Sequence, residues 1–392
     1  MKTAERIGRL PPYVFSDLER LEDEKRREGV DVISLGIGDP DLGPPQFVTD
    51  ALVEALGRES FHQYSSSQGE RFYREAVAEW YGKRFGVRVD PDREVCALIG
   101  SKEGLANIAR AFVDRGDRVG VPDPGYPVYS QGAALLSDGL PVALRMNDSF
   151  LPEYPFPENL AAVYLNYPNN PTAAFAGRDD IDRFVEAAHD GGSILCYDNA
   201  YSEQYFGDSR PPSVLQTKHS IEGVVEFHSL SKTFNMTGFR AGFAVGDEKL
   251  IAGLKKVKSQ IDSGIPKFIQ AAGAAALGRY SGAGRPVELE ENAAELEARM
   301  GCLVDGLRRL GFEAAMPGGT FYLWLPVAGD GSEMVRAMIE VGIVATPGMA
   351  FGSAGRRYVR FAVTAPKERI EEALRRMGSS GGVMRFAGGS GQ

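Results

Sequence analysis

Apolar residues follow two rhythms along this chain, and the change falls near residue 95. Before it, segments 47–56 and 70–85 carry apolar residues at helical spacing between polar turns. After it, short apolar runs, broken only by Glu226, alternate with helical segments. The runs cover 95–99, 119–121, 161–165, 194–197, 224–227 and 242–245. An unbroken run, unlike an alternating one, fits a strand buried on both faces of a mostly parallel sheet. Strands alternating with helices predict an α/β domain whose ligands sit beyond the carboxyl ends of the strands. The residues just after each run are therefore where chemistry is expected.

The two ends of the chain read differently. Residues 1–30 are polar, with a helix-like segment to about 28 that has too little apolar surface to stand alone, so it must pack on the main body or on a second subunit. A short strand at 32–35 leads into the turn-rich Gly36-Ile37-Gly38-Asp39-Pro40-Asp41. Segment 286–310 predicts a long charged helix with Leu296, Met300, Leu303, Val304 and Leu307 as its stripe, suited to bridging two domains. Strands at 320–325, 342–345 and 358–363 and a helix at 332–341 follow, and the Gly/Ser-rich end predicts a flexible tail over 381–392.

Composition narrows the function. A net charge of -9 argues against a nucleic-acid or anionic-membrane partner. No window approaches the apolar length of a membrane span, and the first ten residues have no apolar signal region, so a cytoplasmic protein is expected. Cys96 and Cys196 fall inside apolar runs and read as buried thiols in a reducing compartment. No Cys/His cluster suggests a metal.

The strand ends carry the chemistry. Run 224–227 breaks into Ser229-x-Ser231-Lys232 and returns through Thr237-Gly238-x-Arg240. A lysine at the end of a buried strand has a lowered pKa and becomes a nucleophilic amine. Two hydroxyls and a guanidinium nearby suit a phosphate. After 95–99 comes Gly100-Ser101-Lys102-Glu103-Gly104 at a helix start, where Ser101 serves as an N-cap, an anion ligand or both. After 119–121, Pro122-Asp123-Pro124-Gly125-Tyr126 places a ring at the sheet edge, packed in place or stacked on a flat ligand. After 161–165 comes the stiff Asn166-Tyr167-Pro168-Asn169-Asn170-Pro171-Thr172. After 194–197 come Asp198 and Tyr201. A carboxylate ending an apolar strand needs a partner, either as a helix cap or toward a pyridinium N–H.

Asn169-Asn170-Pro171-Thr172, Asp198-x-x-Tyr201, Ser229-x-Ser231-Lys232 and Thr237-Gly238-x-Arg240, in this order, resemble the fold-type I, pyridoxal-phosphate-dependent aminotransferases of class I/II over nearly the whole chain. The resemblance implies a large cofactor domain over 43–284, a mostly parallel sheet sandwiched by helices. It also implies a smaller α/β domain built from both chain ends, with 1–42 giving the arm and first strand and 285–380 the rest. Lys232 would be the Schiff-base lysine and proton shuttle. Asp198 would pair with the pyridine nitrogen, Asn170 and Tyr201 would bond the ring oxygen, and Tyr126 would stack on the ring. Ser101, Lys102, Ser229, Ser231 and Arg240 would hold the phosphate, joined by Tyr64 from a neighbouring subunit, which implies a homodimer. Arg360 would bind the substrate α-carboxylate beside Asn170 and Gly36. The substrates would be an amino acid and a 2-oxo acid. Leu35-Gly36-Ile37-Gly38-Asp39-Pro40-Asp41, the Gly100 to Gly104 stretch and the stretch around Lys232 are most similar to the branch that takes LL-diaminopimelate as donor and 2-oxoglutarate as acceptor in lysine biosynthesis. Ala173 stands where the family usually has glycine, and Phe239 where tryptophan is common.

Three alternatives are distinguishable. An aspartate- or alanine-type aminotransferase of the same class differs only at the donor. A β-lyase or a decarboxylase on this scaffold is the second; Arg360 disfavours decarboxylation, because gripping the carboxylate hinders its loss, and keto-acid product analysis separates a transaminase from a lyase. A ligand-sensing regulator would need a DNA-binding module, and residues 1–30 are too short for one.

Overall fold

The computed structural model describes residues 2–12 and 14–388. Its strands are β1 (Ile33–Ser34), β2 (Val95–Leu98), β3 (Arg118–Pro122), β4 (Leu140–Leu144), β5 (Leu160–Asn166), β6 (Ile194–Asp198), β7 (Val224–Ser229), β8 (Gly242–Gly246), β9 (Tyr322–Pro326), β10 (Ile343–Val344), β11 (Thr346–Pro347) and β12 (Tyr358–Ala362). The helices are α1 (Glu5–Gly8), α2 (Val14–Arg27), α3 (Gln46–Leu56), α4 (Arg71–Phe85), α5 (Ser101–Phe112), α6 (Arg178–Asp190), α7 (Leu230–Thr233), α8 (Glu248–Lys258), α9 (Lys267–Gly278), α10 (Val287–Arg309), α11 (Gly331–Glu340), α12 (Lys367–Ser379) and α13 (Gly381–Met384).

Seven strands form one sheet in the order β2-β8-β7-β6-β5-β3-β4. The unbroken apolar runs become its interior because both faces are covered. Val95, Ala97, Val163, Leu165 and Leu195 face one helical layer, and Cys96, Leu98, Ala162, Tyr164 and Cys196 face the other. Pairing is parallel except around β8, which runs antiparallel to both β7 and β2. That reversal positions the site. Because β7 and β8 are antiparallel neighbours, with Ser229 opposite Gly242, the link between them crosses the carboxyl edge of the sheet. Leu98 also lies opposite Gly242, so the start of α5 arrives at the same edge.

Sequence reading missed β4, an edge strand whose residues are largely exposed and carry no unbroken apolar signal. On the α4 side of β7, the apolar pattern is interrupted by Glu226 and His228. Both are buried and satisfied locally: Glu226 receives His228 Nε2 at 2.7 Å, Asn199 Nδ2 at 2.8 Å, Ser213 Oγ at 2.5 Å and the Val214 amide at 2.7 Å. These bonds hold the Glu226 carboxyl below its usual range against the upward push of burial.

The second core gathers both chain ends. β1 pairs parallel with β10, and β11-β12-β9 form an antiparallel sheet. Leu35, Met300, Leu303, Leu307, Phe361 and Met377 pack in one cluster there, so α10 does present the expected stripe. The flexible tail expected over 381–392 is corrected for 381–388. Val383 and Phe386 are buried in this core, and Ser380 Oγ caps α13 at the Val383 amide. Two large apolar side chains outweigh the Gly/Ser composition around them. Residues 389–392 lie outside the described residues.

Candidate active site

The carboxyl ends of β5, β6 and β7 bring Asn166, Asp198 and Ser229 to one edge of the large sheet. A cavity of about 350 Å³ opens there, and Tyr322 on β9 and Arg360 on β12 close it from the smaller domain. Among the residues expected from sequence, Ser101, Lys102, Tyr126, Asn170, Asp198, Tyr201, Ser229, Ser231, Lys232, Arg240 and Arg360 all line it.

Asp198 forms the floor. It is buried, and Tyr129 donates to its Oδ2 at 2.8 Å, while its Oδ1 has no hydrogen-bond partner. Burial pushes its carboxyl up to about 6, opposed by Tyr129, the Ala200 amide and His228. No helix starts at Asp198, so the helix-cap alternative is excluded. Lys232 is half-buried, and its Nζ donates to the Gly38 carbonyl at 2.7 Å. Desolvation lowers its pKa to about 8, with Asp39 opposing and the Arg360 and Arg240 charges adding.

Ser101 is the first residue of α5 and not its cap; the cap position is Gly100, with no side-chain bond. Gly100 has φ +81, and a Cβ there would lie 2.6 Å from Arg240 Nη2, so glycine alone lets the strand end, helix start and guanidinium meet. Arg240 Nη1 donates to Thr237 O at 2.9 Å, and the buried Ser231 Oγ has no partner. The opposite wall is built around Arg360. Its guanidinium donates to Asn170 Oδ1 at 2.8 Å and Gly36 O at 2.6 Å, and lies 4.2 Å from the Tyr322 ring centre and 4.7 Å from that of Phe351. Gly36 thus acts through its carbonyl, while its neighbours Ile37, Gly38 and Asp39 line the cavity. Tyr201 OH meets Tyr322 OH at 3.2 Å.

Two expected residues do not line the cavity of their own chain: Gly36, which touches Arg360 instead, and Tyr64. Tyr64 is 89% exposed. Its loop contacts the loop at Ser263, where Ser65 Oγ donates to the carbonyl at 3.1 Å. Sequence reasoning missed Tyr129, Tyr322, Asn166, Asp39 and Glu19. Tyr129 had a usable signal, three residues beyond Tyr126. Tyr322 sits in a predicted strand of the other domain, and nothing local points it at Arg360.

These residues fit pyridoxal phosphate on structural grounds. The buried Asp198 Oδ1 lacks a partner and suits a ring N–H, the Arg240 guanidinium lies against Gly100 at the start of α5, the buried Ser231 Oγ is unpartnered, and Lys232, an amine of lowered pKa, lines the same cavity. Comparison with known proteins decides the family. The family described as Aminotransferase class I and II matches residues 30–377. The chain belongs to the class I and II aminotransferases. Their cofactor is pyridoxal phosphate, and this aminotransferase depends on it. It is 45% identical over 385 residues to the LL-diaminopimelate aminotransferase of Desulforudis audaxviator, covering 95% of this chain and 96% of that protein. It is 44% identical over 384 residues to the enzyme of the same name from Syntrophobacter fumaroxidans, with 95% and 97% covered. Among solved structures, the substrate-bound BacF of Bacillus subtilis matches this aminotransferase at TM-score 0.93 and 29% identity, with both chains fully covered.

Proposed function

We propose that this aminotransferase moves an amino group from LL-diaminopimelate to 2-oxoglutarate, in lysine biosynthesis. The observation that carries amino transfer is Asp198, a buried carboxylate with one free oxygen on the floor of the cavity that holds Lys232. The donor reading is supported by end-to-end likeness to relatives named for that donor.

When bound, pyridoxal phosphate supplies an electron sink for the carbanion left by loss of the α-proton. The chain's residues prepare that loss. Asp198 Oδ1 would accept the ring N–H and hold the proton there. Ser101, Lys102, Ser229, Ser231 and Arg240 would bind the phosphate, with Tyr126, Asn170 and Tyr201 holding the ring. Arg360 grips the α-carboxylate in its planar fork, backed by Tyr322 and Phe351. Lys232 Nζ, with a pKa near 8, can lose its proton near neutrality, take the α-proton and return it. Gripping the carboxylate favours amino transfer over decarboxylation.

Arg360 reads only the end common to all amino acids, so choice of donor must come from the distal end. A site built to bond a distal ammonium and carboxylate rejects donors lacking them by roughly 10⁴-fold. Steady-state comparison of LL-diaminopimelate, aspartate and alanine with 2-oxoglutarate tests this. A higher kcat/KM for aspartate or alanine sinks the donor reading and leaves amino transfer standing.

The same reading includes a cytoplasmic homodimer. It is supported by the exposed Tyr64, whose ring is available to a neighbour's phosphate. Among the described residues no helix is long and apolar enough to cross a membrane. Lys232→Ala and Tyr64→Ala subunits, co-expressed and assayed at limiting cofactor, should regain activity above either parent, because one hybrid site keeps both groups. No regain argues against shared sites.

A further inference from the structure

We infer that Glu19, on the N-terminal arm, selects the distal ammonium of a diamino-dicarboxylate donor; this rests on the donor reading above. The arm is anchored at two places. Arg6 and Arg9 on and beside α1 pair with Asp138 of the large domain at 3.1 and 2.5 Å. Leu21 of α2 packs against the core of the smaller domain. Between these anchors the arm passes the opening between the domains, and there Glu19 lines the cavity.

The charges in the lining can be accounted for one by one. Arg360, Lys102 and Arg240 meet the donor's α-carboxylate and the cofactor's phosphate, and Lys232 moves the proton. Asp198 is buried in the floor. Asp39, an exposed carboxylate too, directly follows Gly38, whose carbonyl takes Lys232 Nζ at 2.7 Å, so its charge sits beside Lys232 at the α end of the donor. Glu19 is left over. Among the described residues its side chain has neither a hydrogen bond nor an ion pair, although those of Arg20, Glu22, Glu24, Lys25, Arg26 and Glu28 of the arm all take part in such contacts. It is a carboxylate with all its acceptor capacity directed at solvent or at a ligand.

The chemistry of the donor supplies what Glu19 lacks. When the α-amine is at Lys232 and the α-carboxylate is on Arg360, the far end of a diamino-dicarboxylate must extend away from the closed floor, toward the opening. It carries a second ammonium there. Stripping water from that ammonium is costly unless an anion receives it. A donor with the same carbon chain but no distal ammonium gains nothing from Glu19. The carboxylate therefore separates the two donors by charge alone, and a charge-assisted hydrogen bond at a partly exposed mouth corresponds to about 10- to 100-fold.

The test uses the holoenzyme with two donors, LL-diaminopimelate and L-2-aminopimelate, which differ only in the distal ammonium. For wild type, kcat/KM should favour LL-diaminopimelate. Glu19→Gln, nearly isosteric and exposed, should leave the melting temperature in place and lower that preference by about 10- to 100-fold, mainly through KM for LL-diaminopimelate. L-2-aminopimelate should change by less than about 2-fold. If wild type prefers neither donor, the donor reading fails. A wild-type preference that Glu19→Gln keeps would overturn the assignment of Glu19 alone. An equal loss for both donors would overturn it too, because Glu19 would then act on the arm and not on the ammonium.

Discussion

The floor and the mouth of the cavity are built by opposite means. The floor and the wall opposite it are Asp198, Tyr129 and Arg360, all buried and each held by a short side-chain bond. The mouth is Glu19, Arg240 and, under the homodimer reading, a partner's Tyr64, all exposed. At the floor a lone polar atom is costly, so an orphaned oxygen such as Asp198 Oδ1 declares that a ligand belongs there. At the mouth water satisfies everything, and an unpaired carboxylate states only which charge is welcome. On the readings proposed above, the floor serves the reaction, while at the mouth Glu19 would choose the donor and Arg240 and Tyr64 would hold phosphate.

The comparison breaks most sharply at Lys232. Lys232→Ala removes nucleophile and base together, so turnover should fall by at least about 10⁴-fold while the fold survives. Borohydride treatment of wild-type holoenzyme should fix the cofactor covalently on Lys232. Peptide mapping that finds the label on another lysine would refute the assignment.

Asp198→Asn comes next, and it should act in opposite directions on activity and on stability. The amide still accepts a hydrogen bond but brings no charge, so activity should drop about 10²- to 10³-fold. The apoprotein should gain stability. Folded Asp198, with its carboxyl at about 6 against an ordinary 3.8, binds its proton more tightly than the unfolded chain does. The wild-type apoprotein therefore loses stability as pH rises from about 4 to about 6, by about 3 kcal/mol on this account. Asparagine has no such loss. Denaturant unfolding of the two apoproteins should show a gap in favour of the variant that is absent below pH 4 and full above pH 6. A gap that does not depend on pH would mean that Asp198 is not held as a buried, unpaired acid.

The mouth should answer more weakly. Tyr64→Phe removes one hydrogen bond to a phosphate and should weaken cofactor binding by about 10- to 100-fold without altering kcat at saturating cofactor. Equilibrium titration of the apoenzyme measures this. Unchanged affinity would mean that Tyr64 touches no phosphate.

The same division explains what could be read from sequence. Several site residues follow apolar runs, so the rule for strand ends finds Asp198, Asn170 and Ser229 from local pattern, and the Thr237-Gly238-x-Arg240 stretch leading into the run at 242–245 adds Arg240. Tyr322 and Glu19 had no such signal. They reach the cavity from a strand and a helix of other parts of the chain, and their local sequence describes only the elements they sit on. The edge strand β4 and the buried end of the tail failed for a related reason. An exposed strand has no apolar run, and Val383 and Phe386 are two isolated apolar residues among glycines.

The smallest effect expected is at Ala173, the departure from the family's usual glycine. Its φ is +57, a left-handed conformation that costs an ordinary residue about 1–2 kcal/mol. Replacing it with glycine relieves that strain but adds about 0.5–1 kcal/mol of unfolded-chain freedom. It also gives up a buried methyl group, worth about 0.8 kcal/mol. The gains and losses nearly cancel. The loop itself is held by backbone bonds, Ala173 N to Asn169 O and Asn169 N to Ala174 O, both 2.9 Å, which neither residue disturbs. Ala173→Gly should therefore shift stability by less than about 1 kcal/mol and leave kcat/KM unchanged. Ala173→Val puts a β-branched side chain at the same φ and should lose more than about 2 kcal/mol. Denaturant unfolding of both variants decides it. A valine variant as stable as wild type would show that the loop does not hold this conformation in solution, and the account of Asn170 and Arg360 beside it would have to change.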